Sequence, residues 1–207
     1  MIRYRSGAQL AHNPRLRHDM HRDRTRQFHD RLGWRVHVDA TGCEVDQYDL
    51  ADTLYVLCLS RAGHHLGSLR LMPTCGPTMI NDHFAALLPA GPVHQPDTWE
   101  CTRFCVAPDA PEWVAAALLL GGLEAGLALG AGRILGVFAL PMLRIYGRLG
   151  WPPVELGREG RGRSGLATGA WLVTPDRRQP LAEKSGLDWP TVADAARELQ
   201  ARALLVA

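Results

Sequence analysis

The sequence predicts a single α/β domain in which helices cover a β-sheet. Its 207 residues are 46% hydrophobic and 21% charged, a size and composition that suit one domain with a sizeable core. From residue 99 onward, strand-like and helix-like runs alternate, in the order strand, helix, strand, helix, strand. The most apolar run, residues 113–129, belongs to a helix predicted from residue 112 to residue 129 that is apolar nearly all round, and such a helix is expected to be buried.

Charge and cysteine content narrow the function classes. The formal net charge is +2, so we expect no strong basic field and no nucleic-acid partner. No run of about 18 apolar residues appears, and charges stand where a signal peptide needs an apolar segment, so we expect a cytoplasmic protein without a membrane partner. The five cysteines form no CxxC pair, which favours reduced thiols and no metal site.

The N-terminal segment predicts a polar helix from Asn13 to Leu32. Asn13 is a suitable N-cap, Pro14 suits the first helical position, and Gly33 ends the helix. Its apolar stripe is thin for a core helix, so we interpret it as a lid over a site. Trp34 follows Gly33 directly, and its side chain either packs onto the core or contacts a ligand.

An acidic segment follows at residues 43–52, with Asp46 and Asp49 in a DxxD spacing. It lacks the glycine and the ligand spacing of a calcium loop. It is either a solvated acidic loop or a segment that folds back, so that Asp46 and Asp49 pair with Arg70 and Arg103.

Residues 53–59 and 66–72 predict an antiparallel hairpin. Arg70 lies in its second strand, facing either into the protein or outward from an edge strand. After Pro73, Asn81 or Asp82 is expected to cap a short helix from Phe84 to Leu88.

The run from Trp99 to Val106, WECTRFCV, reads as a strand that contains two charges. Side chains alternate along a strand, so Glu100 and Arg103 would lie on opposite faces. A bulge or splay between Thr102 and Val106 would bring them into one site, and we predict one here. The alternative is a core strand whose charges only satisfy their neighbours.

The C-terminal half continues with predicted elements of both kinds. They are a strand at 133–140, a helix at 142–149 ended by Gly150, an extended piece at 152–156, a strand at 168–174 and a helix at 191–205 capped by Thr191.

Several motifs occur together in one order. They are Arg24 and Phe28 in an RxxxF spacing, Trp34, the DxxD of Asp46 and Asp49, the RLMPTxGPxMI run from Arg70, WExTRFxV, and RIYGRLGW at residues 144–151. In this combination the sequence resembles the acyl-homoserine-lactone synthases of the autoinducer-synthase family.

The resemblance implies a fold like that of the GNAT N-acetyltransferases, a strongly twisted mixed β-sheet flanked by helices in a single domain. It also implies that the amine of S-adenosylmethionine attacks an acyl thioester. Lactonisation then releases an N-acyl-L-homoserine lactone, a quorum-sensing signal, and 5′-methylthioadenosine. S-adenosylmethionine is thus a substrate, and no tightly bound cofactor is expected. Residues 1–50 would form the lid and S-adenosylmethionine site, and residues 51–207 the core with the acyl pocket.

The resemblance also suggests residue roles. Glu100 is the expected base, since an ammonium must lose a proton before it attacks, and Arg103 is expected to clamp carboxylates. The full catalytic set is Glu100, Arg103, Asp46, Asp49 and Arg70. The set expected to bind S-adenosylmethionine is Arg24, Phe28, Trp34, Phe104 and Val106.

The acyl donor is expected to be acyl carrier protein. Residues 107–113, APDAPEW, lack the glycines that cradle the coenzyme A pyrophosphate in GNAT enzymes, although free acyl-CoA stays an alternative. Arg144 and Arg148, one helical turn apart, are the candidates for docking the acidic carrier. Gly136, Met142 and Leu119 are assigned to the acyl pocket. Because Gly136 has no hydroxyl, we expect an acyl chain without a 3-oxo group.

Two other functions remain open at this level. One is a GNAT-like N-acyltransferase that uses acyl-CoA on another amine, which would release no 5′-methylthioadenosine. The other is a non-catalytic acyl-binding relative. The intact set of Glu100, Arg103, Asp46 and Asp49 argues against the second, since a binding protein needs no base beside its pocket.

Overall fold

The computed structural model describes residues 1–203, with side chains as far as residue 199. The strands are β1 (Ile2–Ser6), β2 (Leu54–Leu59), β3 (His65–Pro73), β4 (Thr98–Val106), β5 (Arg133–Ala139), β6 (Val154–Glu159) and β7 (Leu166–Leu172). The helices are α1 (Gly7–Ala11), α2 (Pro14–Arg24), α3 (Met79–His83), α4 (Trp113–Ala128), α5 (Met142–Leu149), α6 (Arg178–Ser185) and α7 (Trp189–Ala203). The expected extension of the last helix to Leu205 lies outside the described residues.

All seven strands form one mixed sheet in the order β1-β2-β3-β4-β5-β7-β6. Neighbouring strands are antiparallel except β4 and β5, which are parallel. The β4–β5 ladder pairs only Thr98–Glu100 with Arg133–Leu135, although both strands continue further. Beyond Glu100 the two strands part, which leaves a gap in the middle of the sheet.

Helices cover both faces of the sheet, as expected for this fold class. On one face, Val56 and Leu69 pack with Leu120 and Leu123 of α4 in a core that also takes in α6 and α7. On the other face, Tyr55 and alternate residues of β2 pack against α1 and α2. The alternation of side chains along β2 therefore divides the core into two layers.

The N-terminal segment differs in detail from the predicted single helix. Asn13 caps α2 as predicted, because its Oδ1 accepts from the backbone N–H of Leu16 at 3.2 Å. From Thr25 to Arg31 the α-helix gives way to a π-helix, a form common at functional sites. The edge strand β1 and the capped helix α1 precede this segment, and neither was predicted.

Two predicted helix starts were wrong. The helix expected at Phe84–Leu88 begins earlier, at Met79, and Asn81 and Asp82 lie inside it, followed by a 3₁₀ turn at Ala85–Leu87. Its first amides are held by a distant carboxylate, which no local cap motif shows. Helix α7 begins at Trp189, because Asp188 accepts from the Thr191 backbone N–H at 3.2 Å and takes the capping role given to Thr191.

No helix within residues 1–203 is both long enough and apolar enough to cross a membrane.

Candidate active site

A buried network of three arginines and three carboxylates ties the acidic segment to the sheet. Its members come from α2, the segment between α2 and β2, β3 and β4, and they are Arg24, Glu44, Asp46, Asp49, Arg70 and Arg103. Removing both charges of such a pair from water is costly, so each charge in the network needs several partners. The segment thus folds back as predicted and is not a solvated loop.

Arg70 is the centre of this network. It is fully buried, which confirms the inward orientation, and its Nη1 and Nη2 bind the Asp46 carboxylate at 2.6 and 2.9 Å. Its Nη1 also binds Asp49 at 2.9 Å, and its Nε donates to Thr102 Oγ1 at 2.8 Å. The guanidinium lies 5.5 Å from the centre of the Tyr48 ring.

Arg24 does not contact the cavity described below. Its side chain is 1% exposed, and it binds Asp49 through two hydrogen bonds of 2.8 and 3.0 Å and Glu44 through a third. With its donors held by carboxylates, it anchors the π-helix to the acidic segment. The sequence analysis assigned Arg24 to the S-adenosylmethionine site; in the structure its donors bind Glu44 and Asp49, and it is not among the residues that line the cavity.

A β-bulge at Arg103 resolves the alternation problem in the central strand. Between the pairs Ser68–Cys105 and Arg70–Thr102, two residues of β4 oppose one residue of β3. Arg103 has a φ of 51°, the left-handed conformation that side chains rarely adopt. The bulge turns Arg103 toward Glu44 and Asp46, which its Nη2 contacts at 2.9 and 2.7 Å. The predicted bulge between Thr102 and Val106 is confirmed.

The network holds its aspartates ionised. Burial alone would raise the pKa of Asp46, but the Arg70 hydrogen bonds and the charges of Arg70 and Arg103 bring it below its usual range. Burial likewise opposes ionisation of Asp49, yet Arg24, Arg70 and the Tyr55 hydroxyl, which donates at 2.6 Å, lower its pKa strongly. Both side chains therefore serve as fixed anions.

Glu100 has a different environment from these aspartates. It is fully buried, and its two oxygens accept from the backbone N–H groups of Met79 at 2.9 Å and Ile80 at 2.8 Å, at the start of α3. Burial raises the pKa of Glu100 to about 7, although these two hydrogen bonds act in the opposite direction. Glu100 can thus exchange a proton near neutral pH, unlike the aspartates.

An apolar cavity of about 340 Å³ fills the gap between β4 and β5. Its walls include the residues assigned to the acyl pocket, Gly136, Met142 and Leu119, and also Phe104 and Val106. A Cβ atom on Gly136 would lie 3.1 Å from the Trp171 ring and 3.2 Å from the Cys101 carbonyl oxygen. Glycine therefore keeps this part of the cavity open.

The mouth of the cavity is aromatic and charged. Phe28 and Trp34 stack with their ring centres 5.3 Å apart, and both line the cavity. Arg103 also lines it and lies 5.7 Å from the centre of the Phe28 ring. Trp34 is 38% exposed, so one face of this stack is open to a ligand. Met79 contributes to the same wall, and its backbone N–H is the group that binds Glu100.

Arg144 and Arg148 lie on α5, away from the ionic network. Both side chains are exposed, and neither makes an ion pair within the described residues. Ile145, between them in sequence, is 40% exposed and lines the cavity. The two cations therefore flank the cavity wall on the protein surface.

Glu44 is the functional-site residue that sequence reasoning missed. It is fully buried and joins Arg24 to Arg103. Its position two residues before Asp46 was a usable signal, since side chains two apart in an extended segment share a face. Tyr55 and Thr102 are hydrogen-bond partners of the network, but no motif in the sequence indicates these roles.

The chain matches curated relatives and a family model over most of its length. The family model described as autoinducer synthase matches residues 8–176. The acyl-homoserine-lactone synthase of Rhizobium etli is 38% identical over 188 residues, which cover 87% of this chain and 88% of that protein. An acyl-homoserine-lactone synthase of Ralstonia solanacearum is 34% identical over 59% of this chain and 65% of the relative.

Solved structures share the fold of this chain. The CoA-dependent acyl-homoserine lactone synthase MesI superposes with a TM-score of 0.80 at 26% identity, over 91% of this chain and 96% of MesI. BjaI, a CoA-dependent synthase solved with S-adenosylmethionine and isopentyl-CoA, gives 0.78 at 24% identity, over 94% and 98%. An acyl-CoA N-acyltransferase from Pseudomonas aeruginosa gives 0.56 at 18%, over 82% and 98%, a likeness of fold alone.

Proposed function

Because the chain belongs to the autoinducer synthase family and is an acyl-homoserine-lactone synthase, we propose that it takes its acyl chain from acyl carrier protein and transfers it to S-adenosylmethionine. The observation that carries the proposal is the cavity between β4 and β5. Its interior is apolar and its mouth is formed by Phe28, Trp34 and Arg103. An acyl chain fits the interior, and a charged nucleophile fits the mouth.

The reaction has two bond exchanges. The α-amine of S-adenosylmethionine attacks the thioester carbonyl, so that an amide bond forms, the carbon–sulfur bond breaks and the carrier leaves as a thiol. The methionyl carboxylate then attacks its own γ-carbon and displaces 5′-methylthioadenosine, which closes the lactone. The first exchange needs a proton acceptor for the ammonium, and the second needs the carboxylate to be oriented.

Glu100 is proposed as the proton acceptor. A base with a pKa near the working pH is suited to this task, and the pKa of Glu100 is about 7. Glu100 does not line the cavity but binds the backbone N–H of Met79, which does, so we propose that a water molecule carries the proton to it. The aspartates of the network have lowered pKa values and are too weakly basic for this role.

The residues at the mouth are proposed to bind S-adenosylmethionine. The stacked rings of Phe28 and Trp34 offer an apolar wall and a π-face for the sulfonium. Arg103 is the member of the ionic network that lines the cavity, so it orients the methionyl carboxylate. Arg70, Asp46 and Asp49 hold Arg103 and its bulge in place, and Arg24 holds the π-helix that carries Phe28. Phe104 and Val106 form the wall behind this site.

Acyl carrier protein is proposed as the donor on two grounds. The turn between β4 and α4 has no glycine, its Ala110 N–H donates to the Ala107 carbonyl at 3.0 Å, and the Val114 N–H at the start of α4 donates to the Pro111 carbonyl at 3.1 Å. Few amides remain to cradle a pyrophosphate. In addition, the exposed cations Arg144 and Arg148 suit an acidic protein partner. Because MesI and BjaI are CoA-dependent, the identity of the acyl donor is the part of the proposal that most needs a test.

A donor comparison tests this proposal. The purified chain is given S-adenosylmethionine and the same acyl groups, of graded length, on acyl carrier protein or on coenzyme A, and 5′-methylthioadenosine release is measured. We expect kcat/KM to be at least about tenfold higher with the carrier protein. Equal or higher values with coenzyme A would refute the carrier as donor. Failure to release 5′-methylthioadenosine with either donor would refute the reaction.

A further inference from the structure

A tyrosine hydroxyl lies in the wall of the otherwise apolar cavity. Tyr146, on α5, is 5% exposed and lines the cavity. Its ring makes edge-on contacts with Trp171, Phe138 and Phe104, at centre-to-centre distances of 4.9, 5.3 and 6.2 Å. Three aromatic neighbours from three different strands therefore fix the position of the ring.

The Tyr146 hydroxyl makes no hydrogen bond within the described residues, in contrast to the two tryptophan N–H groups of this wall. Trp171 Nε1 donates to the Trp151 carbonyl at 2.9 Å, and Trp151 Nε1 donates to the Leu172 carbonyl at 3.1 Å. The described side-chain atoms that are both sealed from solvent and unpartnered are His65 Nε2 and Thr78 Oγ1. The Tyr146 oxygen is not among them, so it stays accessible from the cavity.

An unpaired hydroxyl in an apolar wall is unfavourable unless a ligand satisfies it. Burial raises the pKa of Tyr146 well above its ordinary value, so the phenol stays neutral and keeps its proton to donate. The group is thus a hydrogen-bond donor that faces the space assigned to the acyl chain.

The place of Tyr146 in the cavity wall indicates which carbons of the acyl chain its hydroxyl meets. Trp171, which contacts the Tyr146 ring, also lies 3.1 Å from where a Cβ of Gly136 would be. Gly136 follows directly after Leu135, where the β4–β5 ladder ends and the gap begins. Phe104, whose ring centre lies 6.2 Å from that of Tyr146, directly follows Arg103 at the mouth, so with the thioester at the mouth we place the first carbons of the acyl chain beside Tyr146.

We propose that the Tyr146 hydroxyl determines acyl specificity and selects chains that carry an oxygen on the third carbon, as a 3-hydroxy or a 3-oxo group. Such an oxygen accepts the hydrogen bond that the protein leaves open. This inference rests on the proposed function and names its acyl substrate class. It replaces the expectation of a chain without a 3-oxo group, which considered only the missing hydroxyl at Gly136.

A matched set of donors tests the inference. Unsubstituted, 3-hydroxy and 3-oxo acyl groups of one length are compared on the same carrier, with wild type and Tyr146→Phe, by kcat/KM for 5′-methylthioadenosine release. We expect wild type to favour at least one oxygenated donor by about five- to tenfold, and Tyr146→Phe, which conserves the shape of the ring, to lose that preference. Tyr4→Phe, which removes a buried hydroxyl outside the cavity, should keep it.

The outcomes separate this inference from the proposed function. Wild type that turns over all three donors equally, or prefers the unsubstituted one, refutes the role of Tyr146 and leaves the reaction standing. The role of Tyr146 is also refuted if Tyr146→Phe keeps the preference for oxygenated donors, or if Tyr4→Phe loses that preference too. Melting temperatures of both variants show whether the loss of a preference comes from a disturbed fold.

Discussion

The guanidinium of Arg70 binds the carboxylate of Asp46 through two hydrogen bonds of 2.6 and 2.9 Å, although the two residues are 24 positions apart. This pair fastens the segment between α2 and β2 to the middle of the sheet. The same segment supplies Glu44 and Asp46 to Arg103, so the pair also supports the bulge at the mouth of the cavity.

The first prediction concerns the stability of this network. Arg70→Ala leaves Asp46 and Asp49 without their shared cation in a buried site, and we expect it to lower the free energy of unfolding by about 3–5 kcal/mol. Arg70→Lys keeps the charge but loses the two-pronged geometry, so its loss should be smaller. Urea unfolding measures both. Arg144→Ala, at an exposed position, is the control and should leave the midpoint unchanged; an equal midpoint for Arg70→Ala would contradict the prediction.

The second prediction concerns the dependence of stability on pH. Asp46 and Asp49 have lowered pKa values in the fold, so their stabilisation is present above the ordinary aspartate pKa of about 3.9 and is lost as the pH falls through their folded values. Glu100 has the opposite effect on stability. Its pKa is about 7 in the folded protein and 4.5 ordinarily, so between pH 7 and pH 4.5 the folded state binds a proton that the unfolded state does not, and lowering the pH stabilises the fold. We expect Glu100 to contribute a rise in melting temperature from pH 8 toward pH 5, against the opposite contribution of His21, whose pKa is lowered by burial, and we expect the aspartates to cause a steep fall below pH 4.

Glu100→Gln separates these contributions. The variant should lose the rise between pH 8 and pH 5 and keep the fall below pH 4. If the rise persisted in the variant, Glu100 would not be the group that titrates.

The third prediction concerns catalysis by Glu100. A base with a pKa near 7 must be deprotonated to act, so kcat/KM should fall as the pH drops below about 7. Glu100→Gln should reduce the acylation rate by roughly 10²- to 10⁴-fold. Glu112→Gln, at an exposed position, is the matched control. Full acylation by Glu100→Gln would remove Glu100 as the base while leaving the overall reaction in place.

The fourth prediction concerns carrier docking on α5. The double change Arg144→Glu and Arg148→Glu places two anions where an acidic carrier would bind, so the KM for acyl carrier protein should rise by about tenfold or more at low salt. The KM for S-adenosylmethionine should not change. Arg3→Glu, on the distant edge strand β1, serves as the control. An unchanged KM for the carrier would refute docking at this face.

The sequence contained more information about the sheet and the charged pairs than about helix ends and caps. Arg70 and Asp46 were predicted to pair, because buried charges require partners. The bulge at Arg103 was predicted because two charges of one strand had to share a site. In contrast, α3 is capped by Glu100 from 20 residues away, a tertiary contact without a local signal.

The role of Arg24 shows a further limit of sequence reasoning. Its motif placed it in the site, but whether it contacts a ligand depends on which carboxylates reach it first. Glu44 and Asp49 both do so, and Glu44 had been given no role. Such competition between partners depends on distances that appear only once the chain has folded. The Tyr146 hydroxyl, which has no hydrogen-bond partner among the side chains described through residue 199 or the backbone through residue 203, is likewise evident only in the folded cavity.

The most direct test of the account is the stoichiometry of the reaction. The purified chain is incubated with S-adenosylmethionine and acyl carrier protein loaded with an acyl group, and mass spectrometry quantifies acyl-homoserine lactone and 5′-methylthioadenosine. We predict that the two products form in equal amounts and that neither forms without the acyl donor. An acylated amine without 5′-methylthioadenosine, or no acyl transfer at all, would contradict it.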